Sequence, residues 1–362
     1  MKILELISEK PPMSTGMART IDNIQERLTK KYHHKLTILT TNDAPKFKFN
    51  KLNVSFIFFK LLLMKKDFDI VHIHGNTPFF SDASLFIFWL FRKKMLYTYH
   101  CDAMITATYA KVNWLMEIVE IVYNYLHRVL MSHAEIVTFF TRSYAEPRKN
   151  QAKCYAIVPS GIDKKFFTEY NTRDFQQKPR IVLFVGQLQP YKGIDILVDA
   201  AKGHELEVLI AGRGFLLNEL TAKTRKMNNV KVLGFVPDDD LLKLYAKAHF
   251  IILPSRSSAE SFGLVTLEGM AGGCIPVTSD LPGVSDLSRE TGFVFKCGDV
   301  QDLSRVFTTV ENMSNEELID RSRRSREFAK SYLWDTAVDQ YNSVIGLLGR
   351  MDHHKRVTVK KE

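Results

Sequence analysis

The stretch "FIILPSRSSAESFGLVTLEGMAGG", Phe250 to Gly273, runs from an unbroken apolar segment through a polar link into apolar residues spaced by three and four. Ile251 to Pro254 is predicted as a buried strand, and Leu264, Leu267 and Met270 or Ala271 predict a helix opened by Phe262 and Gly263. A strand leading into a helix is half of a βαβ unit, and an all-apolar strand belongs in a parallel sheet covered on both faces. The alternation recurs outward in both directions. "KILEL", "LTILT", "DIVHIH", "MLYTYH", "EIVTFF" and "YAIVP" mark the first half; "RIVLFVG", "LEVLIAG", "NVKVLGF", "HFIILPS", "CIPVTS" and "GFVFK" mark the second, with helical patterns between them. The class is α/β, with two doubly wound parallel sheets.

The polar stretch "FFTEYNTRDFQQKPR", Phe166 to Arg180, lacks periodicity and leads into the strand at Ile181, so the domains are predicted as 1–175 and 176–333. A last helix, expected over 334–350 within "SYLWDTAVDQYNSVIGLLG", can pack on either domain, and 351–362 reads as a basic, frayed tail. No repeat or low-complexity segment interrupts this plan.

A chain of 362 residues suits two cores better than one, and 45% hydrophobic residues exclude a disordered chain. Cys101, Cys154, Cys274 and Cys297 are too dispersed for a zinc site or a disulfide framework, which fits a reducing, cytoplasmic setting. In "MKILELISEKPP" the apolar run is broken by Glu5 and Glu9, so it reads as a first strand and not as a signal peptide. The runs "VSFIFFKLLLM" and "LFIFWLF" are shorter than the roughly 20 residues of a membrane span. Net charge is +10 and one-sided: residues 1–168 hold 24 Lys+Arg against 14 Asp+Glu, while residues 169–362 hold 26 of each. That excess points the first half toward something anionic, with a membrane surface, a phosphorylated substrate and nucleic acid as candidates beside a plain solvated surface. No aromatic platform motif accompanies the charge, so nucleic acid is the weakest of these.

Glu260 and Glu268 stand eight positions apart, one in the link after the strand and one about five residues into the helix, roughly 7.5 Å further along its axis. A helix opening at the C-terminal end of a parallel strand offers free N–H groups and a positive dipole end to a phosphate. Taken alone, the two acids are read more simply as a surface carboxylate and a first-turn carboxylate helped by the helix dipole. In "FVGQLQPYKG", Phe184 to Gly193, a strand ends at Gly186 and Lys192 stands at the next helix start, giving a second anion site on the same edge. "IAGRGF" adds Gly212, Arg213 and Gly214 after a third strand, a weak signal by itself.

Together, Glu260 and Glu268 at this interval, "GQLQPYKG", "IAGRG", "LGFVP", "LPSRSSAESFG", "VPSGIDKKFF" and the closing "WDTAVDQY" resemble the retaining nucleotide-sugar glycosyltransferases of family 4, over nearly the whole chain. The resemblance implies the GT-B fold of two facing Rossmann-like domains, with the nucleotide sugar on the second domain and the acceptor on the first. It implies that Lys192 pairs with the donor diphosphate, Glu260 meets the donor sugar hydroxyls and Glu268 binds ribose. The amides of Phe262, Gly263, Leu264 and Val265 would hold the phosphates, and Gly234, Phe235 and Val236 would lie near the base. Relatives often carry Arg after the first glycine where this chain has Gln187, so one phosphate-neutralising charge is either missing or supplied by Arg213 or Arg256. They have a glycine pair where only Gly16 stands here, beside Thr15.

The resemblance also implies that His100, ending the strand in "LYTYHCD", faces the reacting sugar, and that His72 and His74 lie on the acceptor side. Family members that glycosylate lipids often dock on membranes through surfaces such as the interleaved "KFKFNKLNVSFIFFKLLLMKK", Lys46 to Lys66, and the apolar helical segment Met104 to Met131; the plain alternative is that these residues are core. No metal or other cofactor is expected: "PDDDLL", Asp238 to Asp240, is the acidic start of a helix. The expectation is a retaining glycosyltransferase acting on a lipid or lipid-linked glycan at the cytosolic membrane face, with a soluble sugar or glycan as the alternative acceptor. A noncatalytic nucleotide-sugar binder and a dinucleotide oxidoreductase are the rivals; "STGMART" lacks the glycine fingerprint that the latter needs.

Overall fold

The computed structural model describes residues 1–7, 16–43, 46–49, 52–55, 60–62, 68–75, 77–103, 114–167 and 173–351. The loop 8–15, much of the Lys46–Lys66 stretch, the start of the Met104–Met131 segment and the tail 352–362 lie outside the described residues.

The chain divides into two compact units, Met1–Gly161 with Trp334–Glu362, and Ile162–Leu333. The first is built on β1 (Lys2–Ile7), β2 (Lys35–Thr40), β5 (Ile70–His74), β6 (Met95–Thr98), β7 (Ile136–Phe139) and β8 (Tyr155–Ile157), all parallel in the order β2-β1-β5-β6-β7-β8, while β3 (Lys46–Phe49) and β4 (Leu52–Ser55) form a separate antiparallel hairpin. Strands β1, β5, β6 and β7 are buried almost throughout, as their apolar runs require, because helices cover both faces. One face packs helix α1 (Gly16–Tyr32) through Ile24 and Leu28, and the closing helix Trp334–Arg350 through Val338, Tyr341 and Ile345.

The second unit holds β9 (Arg180–Val185), β10 (Leu206–Ala211), β11 (Val230–Gly234), β12 (Phe250–Leu253), β13 (Ile275–Ser279) and β14 (Phe293–Phe295) in the parallel order β11-β10-β9-β12-β13-β14. The helix predicted after Gly263 is Leu264–Ala271.

The junction falls at Gly161/Ile162, earlier than the predicted 175/176 boundary. The reason is that Phe166 and Arg173 of the seam are anchored in the second unit. Phe166 packs edge-on against Tyr245, and the buried Arg173 guanidinium donates to the carbonyls of Tyr245, Gly272 and Gly273. The division also aligns charge with structure: the first unit holds 27 Lys+Arg against 17 Asp+Glu, and the second holds 23 of each.

Candidate active site

In the second sheet the strand order reverses between β9 and β12, and the loops leaving these neighbours flank the crevice where open α/β sheets take ligands. The two loops are stitched together. Arg256 N–H donates to the Tyr191 carbonyl at 2.8 Å, and Gly193, at φ 67°, lies so close to Pro254 that a Cβ would come within 2.0 Å of its carbonyl oxygen. Lys192, in the 3₁₀ turn Pro190–Lys192, is thereby brought onto Glu260, and the two form an ion pair that is largely removed from solvent.

The neighbouring strand ends meet in the same way. Gly186 N–H donates to the Ala211 carbonyl at 3.0 Å and Gly212 N–H to the Gly234 carbonyl at 2.7 Å. A Cβ on Gly212 would sit 1.8 Å from the Gly186 oxygen, so only glycine allows the two turns to touch. Helix Leu264–Ala271 starts from Gly263 at φ 84° with no side-chain cap, which leaves the Leu264 and Val265 amides of its first turn for another acceptor. Ser255 Oγ and Thr266 Oγ1 are buried without a hydrogen-bond partner among the described residues. The arrangement is an anion cradle, with one lysine, one carboxylate and uncapped amides.

The remaining predicted residues lie in varied settings. Phe235 is exposed, and the Arg213 guanidinium lies 4.5 Å from its ring centroid. Val236 follows it, and Gln187 is exposed on the first turn. Arg256, the other candidate for the missing charge, is paired with Asp195 at 2.7 Å. Phe262 is buried against Tyr332, so only its backbone can serve a ligand. Glu268 is buried and accepts a 2.9 Å hydrogen bond from the Tyr245 hydroxyl, a partner the sequence did not suggest. Gly16 opens α1, next to the undescribed loop 8–15.

In the first unit the order reverses between β1 and β5, and there lies a second polar cluster. Glu5 Oε1 is 3.1 Å from His72 Nδ1, and its Oε2 is 2.9 Å from His74 Nε2. His74 Nδ1 is 3.1 Å from His100 Nε2, and His72 Nε2 is 2.8 Å from Thr98 Oγ1, itself bonded to Thr138. All four titratable residues are buried. Burial would raise the Glu5 pKa, but the field of His72 and hydrogen bonds from both rings outweigh it and hold the carboxyl at about 2. Burial, reinforced by His72, lowers the pKa of His74 to about 4, and burial with the two other rings drives that of His100 well below its ordinary value. The Glu5, His72 and His74 ligand atoms lie within 4.8 Å of one another, close enough to suit a cation, although each Glu5 oxygen is already engaged by a ring. Glu5 was missed as a site residue; its signal was an acid in the middle of an apolar strand.

The helix Trp114–Met131 buries polar side chains and exposes apolar ones. Tyr123 and His127 bond Asp82, and Asn124 bonds the backbone of Ala103, while Trp114, Ile121 and Tyr125 are 72%, 67% and 56% exposed. Phe86, Trp89 and Leu90 of the adjacent helix Phe80–Leu90 extend the patch. These side chains of the Met104–Met131 segment are therefore surface and not core.

The model of the family glycosyl transferases group 1 matches residues 167–330, nearly all of the second unit. The D-rhamnosyltransferase WbpZ of Pseudomonas aeruginosa is 30% identical over 237 residues, which span 62% of this chain and 60% of that protein. O-antigen chain mannosyltransferase C of Escherichia coli is 26% identical over 293 residues, 77% of this chain and 75% of its own length. Among solved structures, Anabaena HepE in complex with UDP has a TM-score of 0.70 at 17% identity, covering 96% of this chain and 100% of its own. Sucrose-phosphate synthase of Thermosynechococcus elongatus gives 0.73 at 18%, covering 96% and 99%. The fold is GT-B, with two Rossmann-like α/β units. It is in its second unit, over residues 167–330, that the chain resembles the glycosyl transferases group 1.

Proposed function

We propose that this protein is a retaining glycosyltransferase that takes a sugar from a nucleotide diphosphate sugar, UDP- or GDP-linked, without a metal ion. The observation that carries the reading is the Lys192–Glu260 pair, set between the two loops of the second unit's switch point, beside the uncapped start of helix Leu264–Ala271. A diphosphate is the ligand this cradle suits: it takes the Lys192 charge and the helix amides, and Glu260, released from the lysine, accepts hydrogen bonds from sugar hydroxyls. Catalysis is then stabilisation of the departing diphosphate plus positioning, with no protein nucleophile required. Glu268 and Tyr245 would hold the ribose, and the Phe235–Arg213 stack the base. That a relative is named a D-rhamnosyltransferase and another an O-antigen mannosyltransferase supports a glycan product.

For the acceptor, a lipid or lipid-linked glycan at an anionic, cytosolic membrane face fits best. The exposed apolar face of helix Trp114–Met131 and the first unit's charge excess belong to the same unit. An apolar face buried in the headgroup region with basic residues around it gives reversible attachment, each cation adding roughly 1 kcal/mol. No described helix is long and apolar enough to cross a membrane.

Transfer and hydrolysis across a panel of UDP- and GDP-sugars tests the donor side. Lys192→Ala and Glu260→Ala should each lower kcat by about two to three powers of ten while the protein stays folded. Wild-type turnover by either folded variant would refute the assignment. Thermal shifts with UDP, GDP and NADH separate the rivals, because a selective ligand stabilises by mass action.

A further inference from the structure

We propose that Glu5 is a positioning residue: acting through His74, it holds His100 in the tautomer with its proton on Nε2 and a bare Nδ1 presented to a bound hydroxyl. The chain of hydrogen bonds dictates this. An ionised carboxylate only accepts, so both rings facing Glu5 donate to it, His72 from Nδ1 and His74 from Nε2. A neutral ring has one donor and one acceptor, so His74, with its proton on Nε2, meets His100 with a bare Nδ1. His100 Nε2 must then carry the proton that closes the 3.1 Å contact. His100 is neutral, as its burial beside His74 requires, so its Nδ1 keeps the lone pair. Among the described residues that nitrogen has no hydrogen-bond partner.

The placement gives the lone pair a use. His100 follows the C-terminal end of β6, Glu5 and His74 lie on the two strands between which the sheet order reverses, and the ring of Phe140 walls one side at 5.3 Å. A neutral acceptor at such an edge suits a hydroxyl and disfavours an anion. The hydroxyl's identity as a sugar or acceptor hydroxyl rests on the proposed glycosyl transfer. The tautomer itself does not.

The test is nitrogen-15 NMR of the full chain labelled at histidine, with His100 assigned by comparison with His100→Gln. The wild-type spectrum should show His74 and His100 as Nε2–H; Nδ1–H on His100 overturns the proposal. In Glu5→Gln the amide offers its oxygen to one ring and its NH2 to the other, and where the NH2 faces His74 Nε2 both His74 and His100 should switch to Nδ1–H; Glu5→Leu, which offers neither ring an acceptor, should release the His100 preference, and a His100 unchanged in both variants also overturns the proposal. His74→Ala, which leaves Glu5 paired with His72, should abolish the His100 preference even if Glu5→Gln does not fold.

In turnover assays with the donor identified by the panel, Glu5→Gln should lower kcat by about a hundredfold at nearly constant KM, as expected for a wrong tautomer at a hydroxyl-binding histidine. It should add nothing on a His100→Ala background, whereas multiplicative losses would refute coupling through His100. If the wild-type chain transfers no sugar at all, the glycosyltransferase reading fails while the spectra still decide the tautomer.

Discussion

A carboxylate buried as deeply as Glu5 remains charged only because two imidazoles, held there by β5, face it. The arrangement makes stability depend on pH in a definite direction. Burial is the main cause that lowers His74 and His249 to about 4 from the ordinary 6.5. Above 6.5 neither ring is protonated in the folded or the unfolded chain, and their contribution is fully present. As pH falls from 6.5 towards 4, the unfolded chain binds protons that the folded rings refuse, so stability is lost across that window. Urea midpoints measured from pH 7.5 to pH 5 should decline steadily; a midpoint that rises on acidification contradicts the buried neutral rings. The Glu5 carboxyl acts lower, its contribution being lost only as pH falls from 4.5 through about 2.

The loops and helices show how local geometry becomes chemistry. Gly193 sits at φ 67° against the Pro254 carbonyl, which is what lets the Lys192 turn and the Glu260 loop share a hydrogen bond. Gly193→Ala adds both strain and overlap and should destabilise by roughly 1–3 kcal/mol, with nucleotide affinity falling because the two loops must part. Calorimetry with UDP or GDP checks the second effect separately from the first. The helix Trp114–Met131 makes the opposite case: its Ile121 is exposed, so Ile121→Asp should leave the melting temperature within about a degree or two while removing flotation with anionic liposomes. Unchanged flotation would sink the membrane reading for this face and leave the donor site untouched.

For the molecule as a whole, the closing helix is the main structural dependence of the first unit. Trp334, Val338, Tyr341, Ile345 and Leu348 are buried with Ile24 and Leu28 of α1 and with the sheet residues Ile3, Ile70 and Leu96, so residues 334–350 complete a core begun at the N-terminus. Tyr341→Ala should cost about 3–5 kcal/mol and open the first unit to protease. The second unit's core, from Val182 to Leu318, contains no residue of that helix and should yield a resistant fragment near 162–333. The charge division has the same boundaries, with all of the excess positive charge on the first unit. Binding to anionic vesicles should therefore weaken as ionic strength rises from 0.05 to 0.3 M.

Much of this was legible in the chain itself, because periodicity and turn chemistry are local. The strand and helix succession from "RIVLFVG" to "GFVFK" and the glycines at the ends of β9 and β11 are written in contiguous residues, whereas the pairing of Lys192 with Glu260, 68 positions on, is not. Three further things were decided only by tertiary packing. The seam moved to Gly161/Ile162 because Arg173, polar on paper, is buried and donates through its terminal nitrogens to carbonyls about a hundred positions away. The helix Trp114–Met131 turned its apolar side outward because Asp82, some forty residues earlier, captures Tyr123 and His127. Glu5 passed for an interruption in a strand until β5 laid His72 and His74 against it, 67 and 69 positions further on. A hydrophobic period records which way a residue faces; what a buried charge meets there depends on sheet order and register, which no local pattern encodes.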